Sequence, residues 1–168
     1  QDISAILVTH DRDEAFRIAQ EIATVDRGQL TPPMDKHELF RNPGTRAATT
    51  LTGCKNISAA RRVDETHVTA TDWGITLRVA DATTNVHHIA VRAHYLVLAS
   101  ESDADALPAR IAEVIESTFT YIVMLRFADG AMPIRWEIDK ATWHAHEAGI
   151  GDTLHFNFPI EELMLLRD

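Results

Sequence analysis

The spacing of apolar and polar positions predicts a strand followed by a helix at the start of the chain. Residues 3–8 form a short, mostly β-branched apolar run, which is typical of a strand covered on both faces in an α/β sheet. Asp11 can cap a helix that begins near Arg12, and Glu14 completes a loose capping box. The pattern therefore places His10 where a buried strand gives way to a helix, beside the crevice in which such sheets bind ligands.

Helical patterns continue as far as about residue 52. Residues 26–29 predict a tight turn between two strands. Asp35 begins a second capping box, for a short helix that 42–44 ends, and Thr45 can cap a further helix that stops before Gly53. We place the domain boundary near residues 50–56 and expect two domains, 1–52 and 53–168.

Beyond the boundary the pattern changes to short alternating runs, which predict strands. Six of these runs are 68–71, 75–79, 86–92, 110–115, 121–127 and 154–158. Strands at this density suggest a small barrel, with Trp73, Trp136 and Trp143 as core or interface residues. Residues 139–148 are compatible with one helical excursion or with an irregular connection.

Composition excludes several classes of function. The 168 residues carry a formal net charge of −9, which disfavours a nucleic-acid surface and electrostatic attachment to anionic lipid. No apolar run approaches the roughly 20 residues of a membrane span. Cys54 is the single cysteine, so the chain cannot form an internal disulfide, and no histidine spacing predicts a metal site.

His10 is the first candidate functional residue. Its imidazole can hydrogen-bond to a phosphate oxygen or a water, although a purely structural role is an open alternative. The run 8–15 (VTHDRDEA), continuing to Leu30, resembles the switch-histidine region of ABC-transporter ATPases. The resemblance implies that His10 contacts the γ-phosphate of ATP and helps to place the attacking water.

The other parts of such an ATPase site are missing from this sequence. It contains no Gly-x-x-x-x-Gly-Lys-Ser/Thr motif, and Lys36, Lys55 and Lys140 lie outside glycine-rich loops. In the family, the signature motif and the catalytic glutamate precede the switch histidine. We therefore expect the C-terminal portion of a longer ATPase, which uses ATP and Mg²⁺ in the full-length parent but does not hydrolyse ATP as this fragment.

The second half resembles the OB-like regulatory domain, often called TOBE, of importer ATPases. The likeness lies at 53–56 (GCKN), at 90–95 (AVRAHY), and at 151–152 with 158–159 and Leu163. The resemblance implies a mainly β fold: an OB-like (TOBE/MOP-type) small barrel, preceded by an α/β remnant of a P-loop ATPase domain. It also implies transmembrane permease partners, a homodimer, and a cytoplasmic location at the inner face of the membrane.

The run 53–58 (GCKNIS) most resembles the molybdate and sulfate group of these ATPases, which favours an oxyanion as the transported solute. Some such domains also bind molybdate themselves. Here Arg110, Ser117 and Thr118 are candidate oxyanion ligands, with ordinary strand residues as the alternative. A second hypothesis for the function is a non-catalytic module that binds an oxyanion or another small ligand.

Overall fold

The computed structural model describes residues 4–82 and 85–168. The chain divides into two compact units, Gln1–Gly53 and Cys54–Asp168, which are described separately below.

The described residues of the first unit form three short helices: α1 (Arg12–Ile18), α2 (Lys36–Arg41) and α3 (Arg46–Leu51). Each begins after the N-cap residue that the sequence predicts. The Asp11 carboxylate accepts the N–H groups of residues 13 and 14, the Asp35 carboxylate accepts those of residues 37 and 38, and the Thr45 hydroxyl accepts that of residue 48. These hydrogen bonds confirm the three predicted N-caps. Such caps can be predicted from sequence because each acts within one helical turn.

The strands of the first unit are only two residues long. β1 (Glu21–Ile22) pairs with β4 (Met34–Asp35), and β2 (Val25–Asp26) pairs with β3 (Gln29–Leu30). The predicted tight turn lies between β2 and β3, where Arg27 and Gly28 have φ angles of 48° and 77°. Two consecutive positive φ angles are the signature of the type I′ turn that two-residue hairpins prefer.

The predicted strand at residues 3–8 is wrong for the part that the structure describes. Residues 4–8 form no regular secondary structure, and the side chains of Ile6 and Val8 are 96% and 92% exposed. Residue 3 lies outside the described residues. A strand covered on both faces requires hydrogen-bonded neighbours, and no described strand pairs with this segment.

The described part of the second unit contains two antiparallel five-stranded sheets. Its strands are β5 (Asn56–Arg62), β6 (His67–Ala70), β7 (Ile75–Arg78), β8 (His88–Val91), β9 (Val97–Ala99), β10 (Leu107–Glu116), β11 (Thr120–Arg126), β12 (Ile134–Asp139), β13 (Thr153–Asn157) and β14 (Met164–Leu166). The strand orders are β12-β11-β10-β13-β9 and β14-β8-β5-β6-β7. The mainly β fold predicted from the sequence is confirmed, with its strands in open sheets.

The connections of the second unit include two short helices. α4 (Lys140–His144) occupies the stretch whose conformation the sequence left open, and a 3₁₀ helix spans Ile160–Glu162. β12, which the sequence analysis missed, precedes α4. The sequence of β12 alternates between apolar residues at 134, 136 and 138 and charged residues at 135 and 137, which is the pattern of a strand. In the structure the three apolar residues are buried and the charged ones are not.

The described part of the second unit has a large hydrophobic core and a smaller second cluster, and the large core contains the three tryptophans, as predicted. Trp73, Trp136 and Trp143 are 2%, 3% and 7% exposed. The Trp136 indole N–H donates to the Leu96 carbonyl oxygen at 3.2 Å. The Trp136 ring also meets that of Phe156 edge-on, with 4.9 Å between the centroids. The indole thus fills the core while its polar N–H is satisfied.

Strand β10 changes its hydrogen-bonding neighbours along its length. Residues 107–110 pair with β13, whereas residues from Arg110 onward pair with β11. A bulge between Ile111 and Glu113 shifts the β10–β11 register. Arg110 is therefore a position at which three strands lie side by side.

Candidate functional site

His10 lies in an exposed position directly before α1, and the residues on either side of it are fixed by local hydrogen bonds. The Thr9 hydroxyl donates to Glu14 Oε2 at 2.7 Å and accepts the Asp11 N–H at 3.1 Å. The Asp11 carboxylate accepts the N–H groups of Asp13 and Glu14 at 2.9 and 3.0 Å. In a standard capping box Glu14 would contact the Asp11 N–H directly, whereas here the Thr9 hydroxyl connects the two.

This arrangement holds the backbone around His10 while leaving the imidazole free to meet a ligand. Hydrogen bonds from the Glu14 and Asp13 N–H groups hold the pKa of Asp11 below its ordinary value, so Asp11 is a carboxylate at neutral pH. The single imidazole can supply one hydrogen bond to a phosphate oxygen or a water. The described residues of the first unit add no lysine within a glycine-rich loop.

The second candidate, Arg110, lies in a row of polar side chains across three strands. Arg110 is the direct cross-strand neighbour of Arg126 on β11 and of Thr153 on β13. All three are exposed, and they line an open surface depression of about 490 Å³. Directly opposed residues of antiparallel strands share one face of the sheet, so both guanidinium groups lie on the same face.

Ser117 and Thr118 do not join this row. They lie in the turn between β10 and β11, where the Ser117 N–H donates to the Thr120 carbonyl oxygen at 2.9 Å. At the rise of a β-strand, seven residues separate Ser117 from Arg110 by on the order of 20 Å. The structure therefore does not bring the three candidate ligands together. The neighbours of Arg110 are Arg126 and Thr153, which sequence reasoning missed because strand register is not a local property.

The run 53–58, which carried part of the family resemblance, has structural roles. The Asn56 side chain is 4% exposed and bridges to β12: its Nδ2 donates to the Arg135 carbonyl oxygen and its Oδ1 accepts the Arg135 N–H, both at 2.8 Å. Cys54 is also buried, and burial raises the pKa of its thiol. The thiolate is disfavoured at neutral pH, so Cys54 is a packing residue rather than a nucleophile.

Ser58 and Asp72 form a second polar bridge close by. The fully buried Ser58 hydroxyl accepts the Asp72 N–H at 3.0 Å and donates to the Ala59 carbonyl oxygen at 2.7 Å. The Asp72 carboxylate in turn accepts the Ala59 N–H at 2.7 Å. These groups satisfy one another and connect the turn between β6 and β7 to β5.

Two other kinds of site receive no support from the described residues. Within 4–82 and 85–168, no group of three or more His, Cys, Asp or Glu side chains is arranged to hold a metal ion. In the same residues, no helix has the length and apolarity to cross a bilayer.

No protein-family model matches the chain, but individual proteins do. It is 26% identical over 178 aligned residues to the putrescine transport ATP-binding protein PotG of Escherichia coli (strain K12), covering 98% of this chain and 46% of that protein. It is 23% identical over 128 residues to the sulfate/thiosulfate import ATP-binding protein CysA of Thermosynechococcus vestitus, covering 76% of this chain and 34% of that protein. The chain thus spans less than half of the length of either relative.

A shorter match and a solved structure complete the comparison. The thiamine import ATP-binding protein ThiQ of Ruegeria sp. is 42% identical over 41 residues, which are 24% of this chain and 18% of that protein. The molybdate-bound structure of the cytoplasmic molybdate-binding protein ModG aligns with a TM-score of 0.53 and 13% identity, covering 69% of this chain and 98% of ModG. The homologues of this chain are therefore ATP-binding subunits of ABC importers, and its mainly β fold is that of a molybdate-binding OB-like protein.

Proposed function

We propose that this chain is the C-terminal portion of the ATP-hydrolysing subunit of an ABC importer. One observation carries the proposal: 98% of the chain aligns with an importer ATP-binding protein, within 46% of that protein's length. In this proposal ATP and Mg²⁺ are bound by the full-length parent, and the present chain contributes two parts. His10 contacts the γ-phosphate, and residues 53–168 form a regulatory and dimer-forming domain.

The contacts around His10 support its role as the γ-phosphate contact. Phosphoryl transfer depends on positioned groups rather than on covalent chemistry by the protein. The Thr9–Glu14 and Asp11–Asp13 hydrogen bonds fix the chain on both sides of His10, while the imidazole remains exposed. A group with a fixed backbone and an exposed ring can orient a water or a phosphate oxygen without a large entropic cost.

The His10 role is tested in the full-length subunit assembled with its permease. His10→Ala should lower the ATP hydrolysis rate about a hundredfold or more, with ATP binding retained, because a water-orienting group acts in the transition state. His146→Ala, which removes another exposed histidine, is the matched control and should leave the rate unchanged. An unchanged rate in His10→Ala would refute the assignment. ATP turnover by the purified 168-residue chain that depends on His10 would refute the idea that other catalytic groups lie elsewhere.

The transported solute is proposed to be molybdate or a related oxyanion. The names of the relatives include solutes of opposite charge, since putrescine is a cation and sulfate an anion. The likeness to ModG, a molybdate-binding protein, favours the oxyanion. Uptake of labelled molybdate, sulfate and putrescine by vesicles containing the complete complex tests this choice, and ATP-dependent uptake of putrescine alone would contradict it.

The proposed partners are transmembrane permease subunits and a second copy of the chain, with the assembly on the cytoplasmic face of the membrane. Co-purification of the full-length subunit with the permease from detergent extracts tests the first partner. Sedimentation of the purified chain over a range of concentrations tests the second. A monomer at all concentrations, in the full-length subunit as well as in this chain, would contradict the dimer.

The second candidate function is a non-catalytic module that binds an oxyanion. The fold shared with ModG favours it, and Arg110 is its candidate ligand residue. Molybdate at 100 times its Kd should stabilise the chain by about 2.7 kcal/mol, which a thermal-shift assay detects. The two candidates also differ in what the complete gene encodes, because only the first requires a glycine-rich phosphate loop before the present sequence.

A further inference from the structure

Among the described residues of the second unit, two neighbouring arginines have no carboxylate partner within ion-pair distance. Arg110 and Arg126 are directly opposed on β10 and β11 and share one exposed face of the sheet. Directly opposed side chains in antiparallel strands have Cβ atoms about 4.5–5.5 Å apart, and like charges in that position destabilise the pair. The pair therefore costs folding energy unless an anion lies between the two guanidinium groups.

The chain itself supplies no such anion in the described residues. Acidic residues outnumber basic ones by 25 to 16, yet neither arginine takes part in any ion pair formed within 4–82 and 85–168. Arg126 is nevertheless held in place, because its Nη1 donates to the Ala131 carbonyl oxygen in the β11–β12 connection. One guanidinium group is thus positioned, and both keep unused N–H donors.

The two arginines line an open depression in the surface of the second unit. The depression has a volume of about 490 Å³, which is sufficient for a small ion. Thr153 extends the row on the other side of Arg110 and adds a hydroxyl donor. The Asp129 carboxylate, also in the lining, is the one acidic side chain there and opposes an anion.

We propose that Arg110, Arg126 and Thr153 bind a doubly charged tetrahedral oxyanion group, as a free ion or as the phosphate of a monoester. Two guanidinium groups neutralise the two charges, and their planar N–H pairs match the oxygen atoms of such a group. This inference rests on the second candidate function, the oxyanion-binding module, because both use Arg110 as a ligand. It names Arg126 and Thr153 as the other ligands, in place of Ser117 and Thr118.

The test is calorimetric titration of the complete 168-residue chain at constant ionic strength, with sulfate, inorganic phosphate, molybdate and phenyl phosphate as probes. Arg110→Gln and Arg126→Gln should each weaken binding about tenfold or more, because each removes hydrogen bonds to a charged group. Asp129→Asn should tighten binding several-fold by removing the opposing charge. Arg78→Gln, on an exposed arginine of β7, is the matched control and should leave the affinity unchanged.

A stability measurement without ligand separates ligand binding from a structural role. Arg110→Gln should leave the melting temperature of the ligand-free chain unchanged or raise it, since it relieves the repulsion between neighbouring guanidinium groups. A structural residue would lower it. Tighter binding of phenyl phosphate than of inorganic phosphate would identify a monoester as the source of the oxyanion group, and equal binding would identify the free ion.

Two results would overturn the inference in different ways. Molybdate binding that is insensitive to Arg126→Gln would refute this site but leave the oxyanion-binding module standing. No binding of any probe at about 10 mM, where even an affinity of about −4 kcal/mol is saturating, would refute both.

Discussion

The Asn56 bridge is a strong test of the structural reasoning, because one side chain satisfies both backbone groups of Arg135. The Asn56 amide donates to the Arg135 carbonyl oxygen and accepts the Arg135 N–H, both at 2.8 Å, in a position that is 4% exposed. Asn56→Ala leaves both backbone groups without a partner. Each such group costs about 1–3 kcal/mol, so the free energy of unfolding should fall by about 2–6 kcal/mol.

Asn56→Asp separates the two hydrogen bonds while keeping the shape of the side chain. An ionised carboxylate can still accept the Arg135 N–H, but it cannot donate to the carbonyl oxygen. Burial and the facing carbonyl raise the pKa of the introduced carboxyl in the folded state above its unfolded value of about 3.9. The protonated form can donate, so the stability deficit of Asn56→Asp should be small near pH 4.5 and should grow as the pH rises through the folded pKa.

Urea unfolding followed by tryptophan fluorescence measures this deficit at several pH values. All three tryptophans lie in the second unit, so the signal reports the unit that contains the bridge. Asn85→Asp, at an exposed position, is the matched control and should change stability by less than about 0.5 kcal/mol. A deficit of Asn56→Asp that does not change between pH 4.5 and pH 7, or no deficit at pH 7, would refute the reasoning.

Two further predictions concern a turn and a helix cap. Gly74→Ala should destabilise the second unit by about 1–3 kcal/mol more than Gly130→Ala does in urea unfolding. Both glycines have positive φ angles, 68° and 72°, so the backbone strain is similar. A Cβ at Gly74, however, would lie 2.8 Å from the Ala128 Cβ, whereas a Cβ at Gly130 meets nothing within 4 Å. Equal losses would show that the contact with Ala128 relaxes freely. The Thr142 hydroxyl and N–H hold the pKa of the exposed Asp139 below its ordinary value of 3.8, so ionised Asp139 adds stability above that value, and this stability is lost as the pH falls through the lowered pKa. Thr142→Val should therefore raise the pKa of Asp139 in an NMR titration, and an unchanged titration midpoint would contradict the hydroxyl contact.

The features that the sequence predicted correctly depend on local interactions. Asp11, Asp35 and Thr45 cap the helices that follow them, because the donor N–H groups lie two or three residues ahead. The hairpin turn at 27–28 is equally local. The predicted strand is wrong over residues 4–8, the part that the structure describes, because a strand requires a hydrogen-bonded neighbour, which an apolar run cannot reveal.

The candidate oxyanion site shows the same division between local and non-local information. The sequence predicts Arg110 as a candidate ligand together with Ser117 and Thr118, which are near it along the chain. The side chains that lie beside it, Arg126 and Thr153, are 16 and 43 residues away in sequence and are brought together by register. Register depends on the whole pairing pattern of the sheet, including the bulge at 111–113, and no single run of residues specifies it.

The change of neighbours along β10 has a consequence for how the protein behaves in concentrated solution. Beyond Ile111, β10 pairs with β11 on one side only within the described residues, so its other edge is open to pairing with a second molecule. The bulge interrupts the regular ladder at this edge, and Glu113 places an exposed carboxylate beside it. Irregular geometry and charged side chains at a strand edge are both known obstacles to edge-to-edge assembly, so we expect this part of β10 to resist aggregation.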